Sequence, residues 1–555
     1  MPDAPLLESS RTAGATAAAV ALGIDPPATP LAPPAQPEMG DLASPLAMGL
    51  AKSQKRPPRE IAKAIADRLS DASATAEWLA GVEVAGPGFL NMTLAPGWFA
   101  NAATALAREG DRHGAGSAST PMSILLEFVS VNPTGPPHVG HARQAAYGDA
   151  LGRILAFAGH SVTREYYVND HGRQMRKFGE SVAARYAELF DVPLAVPEDG
   201  YHGDYVIEIA RAIREAEGDA LMPPPFGDDA LEAFTARGED LMLAAIRRDL
   251  ERFRVLPYDR FFSERTLHDA GRVIGGVDAL REAGDAYEAE GATWFRTTDY
   301  GDSKDRVLLR SDGDPTYLAA DVAYHLDKAG RGHEILIDVL GADHHGYIAR
   351  LRAVLAAGGY DPERLEVPTI QLVSLVEGGE AKKMSKRAGT LVTLSDLLDD
   401  IGVDAARFFL VQRSHETALD LDLDLAREQS QENPVYYVQY AHARVRSILA
   451  QAGERPPAGD PIGAPSVLDP SERALVMRLA DWPVAVAEAE ERRAPHRVVA
   501  YLIELAREFH GFYHRCRVVG EAPEVEAFRL DLCRATGATV RVGLDLLGVE
   551  APERM

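Results

Sequence analysis

Val131-Asn132-Pro133-Thr134-Gly135-Pro136-Pro137-His138-Val139-Gly140-His141 is the stretch on which the reading of this chain turns. It follows an apolar run, Ile124-Leu125-Leu126-Glu127-Phe128-Val129, that reads as a buried strand. It precedes Ala142 to Ala158, where Tyr147, Leu151, Ile154, Leu155 and Ala158 recur at helical spacing. The stretch is therefore a strand-to-helix turn. A helix N-terminus presents free N–H groups and partial positive charge, which makes it a phosphate site. His138 and His141 are three residues apart and can face one ligand, and Gly140 between them lets that ligand approach the backbone. Taken alone, an H-x-G-H is equally well a loop with two incidental histidines.

A second motif breaks the tie: Lys382-Lys383-Met384-Ser385-Lys386-Arg387-Ala388-Gly389-Thr390. Alone it reads as a solvated basic loop. In this order, about 240 residues apart, the two resemble the HIGH and KMSKS signatures of class I aminoacyl-tRNA synthetases. Arg387 stands where that pattern usually has serine, and this variant resembles the arginyl branch. Nearly the whole chain carries that resemblance. Glu127 to Gly135 is similar to the arginyl family's lead-in to its first motif. Asp314 to His325 and Gly341 to Tyr347 look like its next two blocks. Asp404 to Phe409 and Glu432 to Arg444 resemble the start of its anticodon-binding domain, and Gly543 to Met555 matches its ending.

Length and composition bound the answer. The chain of 555 residues suits roughly three to four domains. Its net charge of -25 does not announce a nucleic-acid binder, but binding needs only a local basic surface. Two cysteines, Cys516 and Cys533, argue against a disulfide framework or a cysteine zinc site and suit the cytosol. Met1 to Glu8 lacks the basic and apolar regions of a signal peptide, and no uncharged apolar stretch is long enough to span a bilayer.

Three domains are expected. Residues 1–115 read as α+β: a helix in Thr12 to Ile24, a Pro-rich loop from Pro26 to Pro37, a helix from Pro57 through Leu69, and a strand–turn–strand in Val82 to Leu94. Gly114 to Pro121 reads as a linker. Residues 116–400 alternate strand-like and helical segments, with strands expected at Val162 to Val168, Ile335 to Leu340 and Thr369 to Val376. This is the pattern of an α/β, Rossmann-type doubly wound parallel sheet, whose ligands sit at the carboxyl ends of its strands. The stretch 190–300 reads as a mostly helical insertion. Residues 401–555 read as an all-α bundle, with a loop from Arg455 to Pro470.

The resemblance implies a reaction: the carboxylate of arginine joins the α-phosphate of ATP, with Mg²⁺ accompanying the nucleotide, and the arginyl group then passes to tRNA(Arg). The residue types fit. His138 and His141 can donate to phosphate beside Gly140, and Lys383 and Lys386 suit a loop that closes on pyrophosphate, with Met384 and Ser385 against ATP. A guanidinium offers five N–H donors and accepts nothing, so its pocket needs carboxylates. In the family, residues matching Glu127, Asn132, Tyr317 and Asp321 face arginine, and Asp343 stands near the substrate. A buried carboxylate paired with a structural arginine is the alternative for each acid. His344 and His345 read as active-site donors near the nucleotide or as structural groups, and His325 reads as packing. No metal ligand set is expected among these histidines.

On Tyr501 to Val518, Leu505, Phe509, Phe512 and Cys516 form one helical face, while Arg507, His510, His514 and Arg517 form another. That basic stripe either contacts tRNA phosphates or is a solvated face. His442, Arg444 and Arg446 form a second basic cluster, where Tyr437 or Tyr440 could stack on unpaired bases or belong to the core. The resemblance implies that the N-terminal domain grips the tRNA elbow, that bound tRNA precedes arginine activation, and that the protein is a cytoplasmic monomer. A cysteinyl synthetase is disfavoured because no cysteine lies near the core, and a small nucleotidyltransferase because the second motif is followed by about 150 further residues of helical pattern. A non-catalytic tRNA-binding paralogue is disfavoured by intact His138, His141, Lys383 and Lys386.

Overall fold

The computed structural model describes residues 5–32, 34, 36–71, 78–222, 224–382, 392–453, 465 and 467–555. Lys383, Met384, Ser385 and Lys386 lie outside these described residues.

The N-terminal part runs α1 (Pro5–Leu22), β1 (Leu42–Ser44), α2 (Leu46–Gln54), α3 (Pro58–Asp71), β2 (Leu79–Ala85), β3 (Phe89–Leu94) and α4 (Pro96–Glu109). Its antiparallel sheet has the order β1-β3-β2. Pro58 opens α3, where a missing N–H costs nothing, and Ile61, Ala62, Ile65, Ala66 and Leu69 bury one stripe of it. Asp41 accepts from the Leu94 backbone at 2.7 Å and pairs with Arg473 of the C-terminal part, so the Gly40-Asp41-Leu42-Ala43 turn is a structural joint.

The central part is built on β4 (Ser123–Glu127), α5 (Val139–Ala158), β5 (Ser161–Val168), α6 (Arg173–Glu188), α7 (Asp204–Glu217), α8 (Asp228–Arg252), β6 (Arg260–Ser263), α9 (Arg265–Asp269) and α10 (Arg272–Ala283). An antiparallel set follows, β7 (Ala286–Ala289), β8 (Ala292–Phe295) and β9 (Arg306–Leu309), and then α11 (Tyr317–Gly330), β10 (Ile335–Asp338), β11 (Leu340–Gly341), α12 (Ile348–Ala357) and β12 (Leu365–Glu366). Five of these strands form one sheet in the order β12-β10-β4-β5-β6, and every pairing is parallel. The chain begins this sheet at its centre, winds outward through β5 and β6, then returns to the other side through β10 and β12. Strand order therefore reverses at β4, and a ligand crevice opens beyond the carboxyl ends of β4 and β10. The central strands β4 and β10, buried on both faces, are apolar runs that each end in an acid.

Two expectations are corrected. The stretch 190–300 is not simply a helical insertion: β6 is the edge strand of the main sheet, and β7 and β8 form a hairpin. Glu290 and Gly291, both at positive φ (54° and 74°), make its tight turn. The segment Thr369 to Val376 is not a strand of the main sheet. It splits into β13 (Thr369–Ile370), paired with β11, and β14 (Val373–Glu377), flanked by β15 (Glu380–Ala381) and β16 (Leu419–Asp422).

The C-terminal part is helical apart from β16: α13 (Leu394–Val411), α14 (Leu423–Arg427), α15 (Pro434–Ala452), α16 (Pro470–Ala480), α17 (Trp482–Glu491), α18 (His496–Arg515) and α19 (Pro523–Leu546). Helix α5 is its meeting point with the core. Arg143 donates to the carbonyls of Gln371 (2.8 Å) and Ser414 (3.0 Å), and Tyr147 donates to that of Arg493 (2.8 Å). Asp149 holds Arg407 of α13 in a fully buried pair. A Cβ at Gly148 would lie 2.4 Å from the Phe128 ring, so only glycine lets α5 pack this closely on β4.

Candidate active site

The turn between β4 and α5 sits at the switch point. Its entry is strained: Val129 and Ser130 have φ of 72° and 44°, a conformation that costs a non-glycine residue about 1–3 kcal/mol. The Ser130 hydroxyl holds it there, donating to Glu127 Oε1 at 2.9 Å and accepting from the Tyr167 N–H at 3.0 Å.

His138 is the N-cap of α5. Its Nδ1 accepts from the Gly140 N–H at 3.1 Å, and the His141 Nδ1 accepts from the His138 N–H at 3.2 Å. A nitrogen that accepts carries no proton, so each neutral ring bears its hydrogen on Nε2. The two rings stack at 3.7 Å. A Cβ at residue 140 would meet the His138 ring at 2.9 Å, which is why glycine stands between them. The result is two N–H donors at the positive end of a 20-residue helix. The turn is also tied to the chain that follows the second motif: Leu394 N donates to Pro137 O (2.8 Å) and Val139 N to Val392 O (3.2 Å).

Behind the turn lies a row of acids. Asp338 of β10, Glu127 of β4 and Glu165 of β5 are register partners on adjacent strands. One face of α11 covers them. Lys328 Nζ pairs with Asp338 at 2.6 Å and with Glu127, the Tyr324 hydroxyl lies 2.7 Å from both Glu127 and Glu165, and Arg331 grips Glu165. His325 Nε2 faces Asp338 Oδ2 at 3.0 Å while its Nδ1 faces the Asp321 carbonyl at 2.9 Å. Both partners are acceptors, so the ring carries both protons. Burial opposes that charge, but the Asp338 carboxylate raises the His325 pKa above its ordinary value. Burial likewise opposes the Lys328 ammonium, and Asp338 and Glu127 hold its pKa up. His325 is thus part of an ion network rather than simple packing.

The other expected arginine contacts are dispersed around this row. Asp321, on α11, accepts from the Tyr347 hydroxyl at 2.7 Å, and burial raises its pKa. Asn132 donates to Gln174 at 2.7 Å. Tyr317 is 63% exposed at the start of α11. Asp343 and His344 are exposed neighbours, 3.6 Å apart in a 3-10 turn. One acid was missed by sequence reasoning. Glu264 follows β6 at the same sheet edge, is 5% exposed, and has its pKa pushed up to about 7 by burial, against a Tyr167 hydrogen bond and with the Asp321 charge adding to the rise. Only recognition of the four-residue strand β6 could have found it.

The comparisons with known proteins agree with this geometry. A family model described as tRNA synthetases class I (R), catalytic domain, matches residues 104–188 and 262–436. One for the arginyl tRNA synthetase N terminal domain matches 11–94, and one for the DALR anticodon binding domain matches 438–555. The chain is 49% identical over 511 residues to an arginine–tRNA ligase of Frankia alni, covering 91% of this chain and 90% of that protein. It is 46% identical over 504 residues to one of Geobacillus kaustophilus, covering 90% of each. The chain belongs to the arginyl-tRNA synthetases. The solved Thermus thermophilus arginyl-tRNA synthetase superposes on this synthetase with a TM-score of 0.73 at 27% identity, over 99% of this chain and 100% of that one.

In the C-terminal part of the synthetase, the Arg444 guanidinium lies between the rings of Tyr440 (4.7 Å) and Tyr513 (4.1 Å), and Tyr436 stacks parallel to Tyr440. Arg507 and His514 are exposed on α18. The expected basic stripe is shorter than its spacing suggested. His510 is 8% exposed and packs against Tyr437, because its side of α18 meets α15. Helix α18 ends at Arg515, so Arg517 lies beyond it, donating to Val519 O at 2.9 Å. His442 is buried too, with Nδ1 2.9 Å from Pro552 O. Both cysteines are buried and free.

His171, Glu264 and His268 place potential ligand atoms within 4.8 Å of one another, the one such group among the described residues. Their imidazole planes are nearly parallel (16°) and stacked at 3.7 Å. A metal lies near the plane of each imidazole that binds it, and these two planes share no such point. Among the described residues, no helix is long and apolar enough to cross a membrane.

Proposed function

We propose that this chain ligates L-arginine to tRNA(Arg) in two steps on one site. A carboxylate oxygen of arginine attacks the α-phosphorus of ATP, the bond to pyrophosphate breaks, and arginyl-adenylate forms. The 3'-terminal ribose hydroxyl of tRNA then attacks the acyl carbon and AMP leaves. The observation that carries this reading is the pair of Nε2–H donors on His138 and His141, fixed by reciprocal capping at the switch point. Donors held in place before charge develops stabilise the phosphorane without reorganisation. Lys383 and Lys386 neutralise the departing pyrophosphate, with Gly140, Met384, Ser385 and His344 against the nucleotide. Mg²⁺ arrives on the ATP phosphates, since the capping loop offers N–H donors rather than oxygen ligands.

Asp321 and Glu264 receive the guanidinium. Asp321 is half-buried and Glu264 buried, and neither has a Lys or Arg ion-pair partner among the described residues, so each lacks the cation that arginine supplies. Asn132, Glu127, Tyr317 and Asp343 complete the arginine pocket as hydrogen-bonding groups. Tyr440 meets anticodon bases, while Arg444, Arg507, His514 and Arg517 meet backbone phosphates. Residues 1–115 grip the tRNA elbow, 116–400 catalyse and 401–555 read the anticodon. The reaction belongs to cytosolic translation. Arginine-dependent ATP–pyrophosphate exchange, with and without tRNA and against the other amino acids, tests the assignment. Exchange with arginine only, and only when tRNA is bound, is the expected result; exchange with another amino acid overturns it.

A further inference from the structure

The row of acids behind the active-site turn is matched by cations, with Arg260 3.9 Å from Glu165 and Asp327 3.3 Å from Arg331 at its margin. Asp338, Glu127 and Glu165 carry three negative charges, and Lys328, Arg331 and the doubly donating His325 carry three positive ones. All six come from three adjacent strands and one face of α11 or its C-cap. Lys328 is the central member. It has no exposed surface, and its ammonium bridges the carboxylates at the ends of β4 and β10. Glu127 Oε2 takes Lys328 and shares the single Tyr324 hydroxyl proton with Glu165, and Oε1 takes the Ser130 hydroxyl. One acceptor position on Oε1 is left over, since a carboxylate offers about four. Asp321 and Glu264 have no Lys or Arg partner among the described residues, Glu264 facing only the His268 ring at 3.3 Å.

We infer that Lys328 is a positioning residue for amino-acid selection, an interior counter-cation that cancels the charge of Glu127 and leaves it a neutral hydrogen-bond acceptor. Discrimination for positive charge then rests on Asp321 and Glu264. This rests on the arginine reading above. A buried ion pair broken on one side leaves an uncompensated charge, whereas removing both partners does not. In Lys328→Met, Glu127 and Asp338 lose their shared cation. In Glu127→Gln, the Lys328 ammonium keeps only Asp338, which His325 already shares, and the excess positive charge beside the pocket repels a guanidinium. In the double variant, Asp338 keeps His325, and the amide introduced by Glu127→Gln keeps an acceptor oxygen.

The test is a double-mutant cycle on the full-length enzyme, read as KM for arginine and for ATP in tRNA-dependent pyrophosphate exchange, with citrulline as the uncharged competitor. Glu127→Gln should raise the arginine KM at least tenfold with the ATP KM within about twofold, whereas Lys328→Met, which uncovers the Glu127 charge, should not raise it. The Glu127→Gln/Lys328→Met double should recover most of that loss and keep the preference for arginine over citrulline, which Asp321→Asn should lose. A double variant no better than Glu127→Gln would overturn the inference, because Glu127 would then meet the guanidinium with its own charge. A Lys328→Met effect spread equally over ATP and arginine would overturn it too, as general packing. Should the singles fail to fold, the charge-balanced double decides alone. Wild-type enzyme that does not exchange with arginine refutes the functional reading instead.

Discussion

Replacing His138 by alanine and by asparagine separates its two tasks. As N-cap, the imidazole Nδ1 accepts from the Gly140 N–H at 3.1 Å. As donor, its Nε2–H is the proton that the proposed reaction would use. Alanine removes both. Loss of an N-cap costs about 1 kcal/mol, roughly a fivefold loss of protection at the Gly140 amide in hydrogen exchange. Loss of one oriented transition-state donor costs about 2.7–4 kcal/mol, or about 10²–10³ in kcat. Asparagine is among the best N-caps, and its Oδ1 can take the place of Nδ1, but its shorter side chain does not reach where Nε2–H reaches. His138→Asn should therefore keep Gly140 protection near wild type while kcat for pyrophosphate exchange falls as far as in His138→Ala. Near wild-type exchange by His138→Asn would refute the donor assignment. Loss of protection equal to that of alanine would refute the cap.

Because burial holds the Glu264 carboxyl near 7, it gains a proton as pH falls from about 8 to 6, and arginine KM should rise over that interval; Glu264→Gln should flatten the profile. The sign for stability is opposite: between the ordinary carboxylate range and about 7 the folded state binds more protons than the unfolded one, so the apo enzyme loses stability as pH rises through that window. Denaturation midpoints of wild type and Glu264→Gln at pH 5 and 8 check this. Asp321→Asn should weaken arginine by about 1.5–3 kcal/mol, the range for hydrogen bonds to charged groups, leaving ATP KM alone. Arg407→Met breaks a pair with no exposed surface on either side and removes donors to Leu547 O and Phe253 O. It should cost about 3–5 kcal/mol, seen as a lower thermal midpoint; an unchanged midpoint would mean that Arg153 alone satisfies Asp149. Arg507→Ala with Arg517→Ala should weaken tRNA binding and flatten its log–log salt dependence by about 0.7–0.9 per lost phosphate contact; an unchanged slope would make both side chains merely solvated.

The local chemistry was legible in contiguous residues. A strand that is a plain apolar run, a turn of Pro and Gly, and an H-x-G-H that starts a helix are fixed by backbone sterics and capping, which act over a few residues. So the strand–turn–helix with its capping histidines and the α/β class could be read from the chain alone. What each charge faces was decided by tertiary register. Glu127 and Lys328 are 201 residues apart in sequence, and nothing near Glu127 reveals that parallel pairing sets it between Asp338 and Glu165 under one face of α11. Glu264 was hidden because β6 is too short for a periodic signal and becomes a strand only by pairing with β5. His510 shares its helical spacing with exposed residues, yet it is buried because α15 packs on that side, and Arg517 left the stripe because α18 ended two residues earlier. Periodicity says which residues share a face; only the packing of distant segments decides whether that face meets water, a neighbouring helix or a substrate.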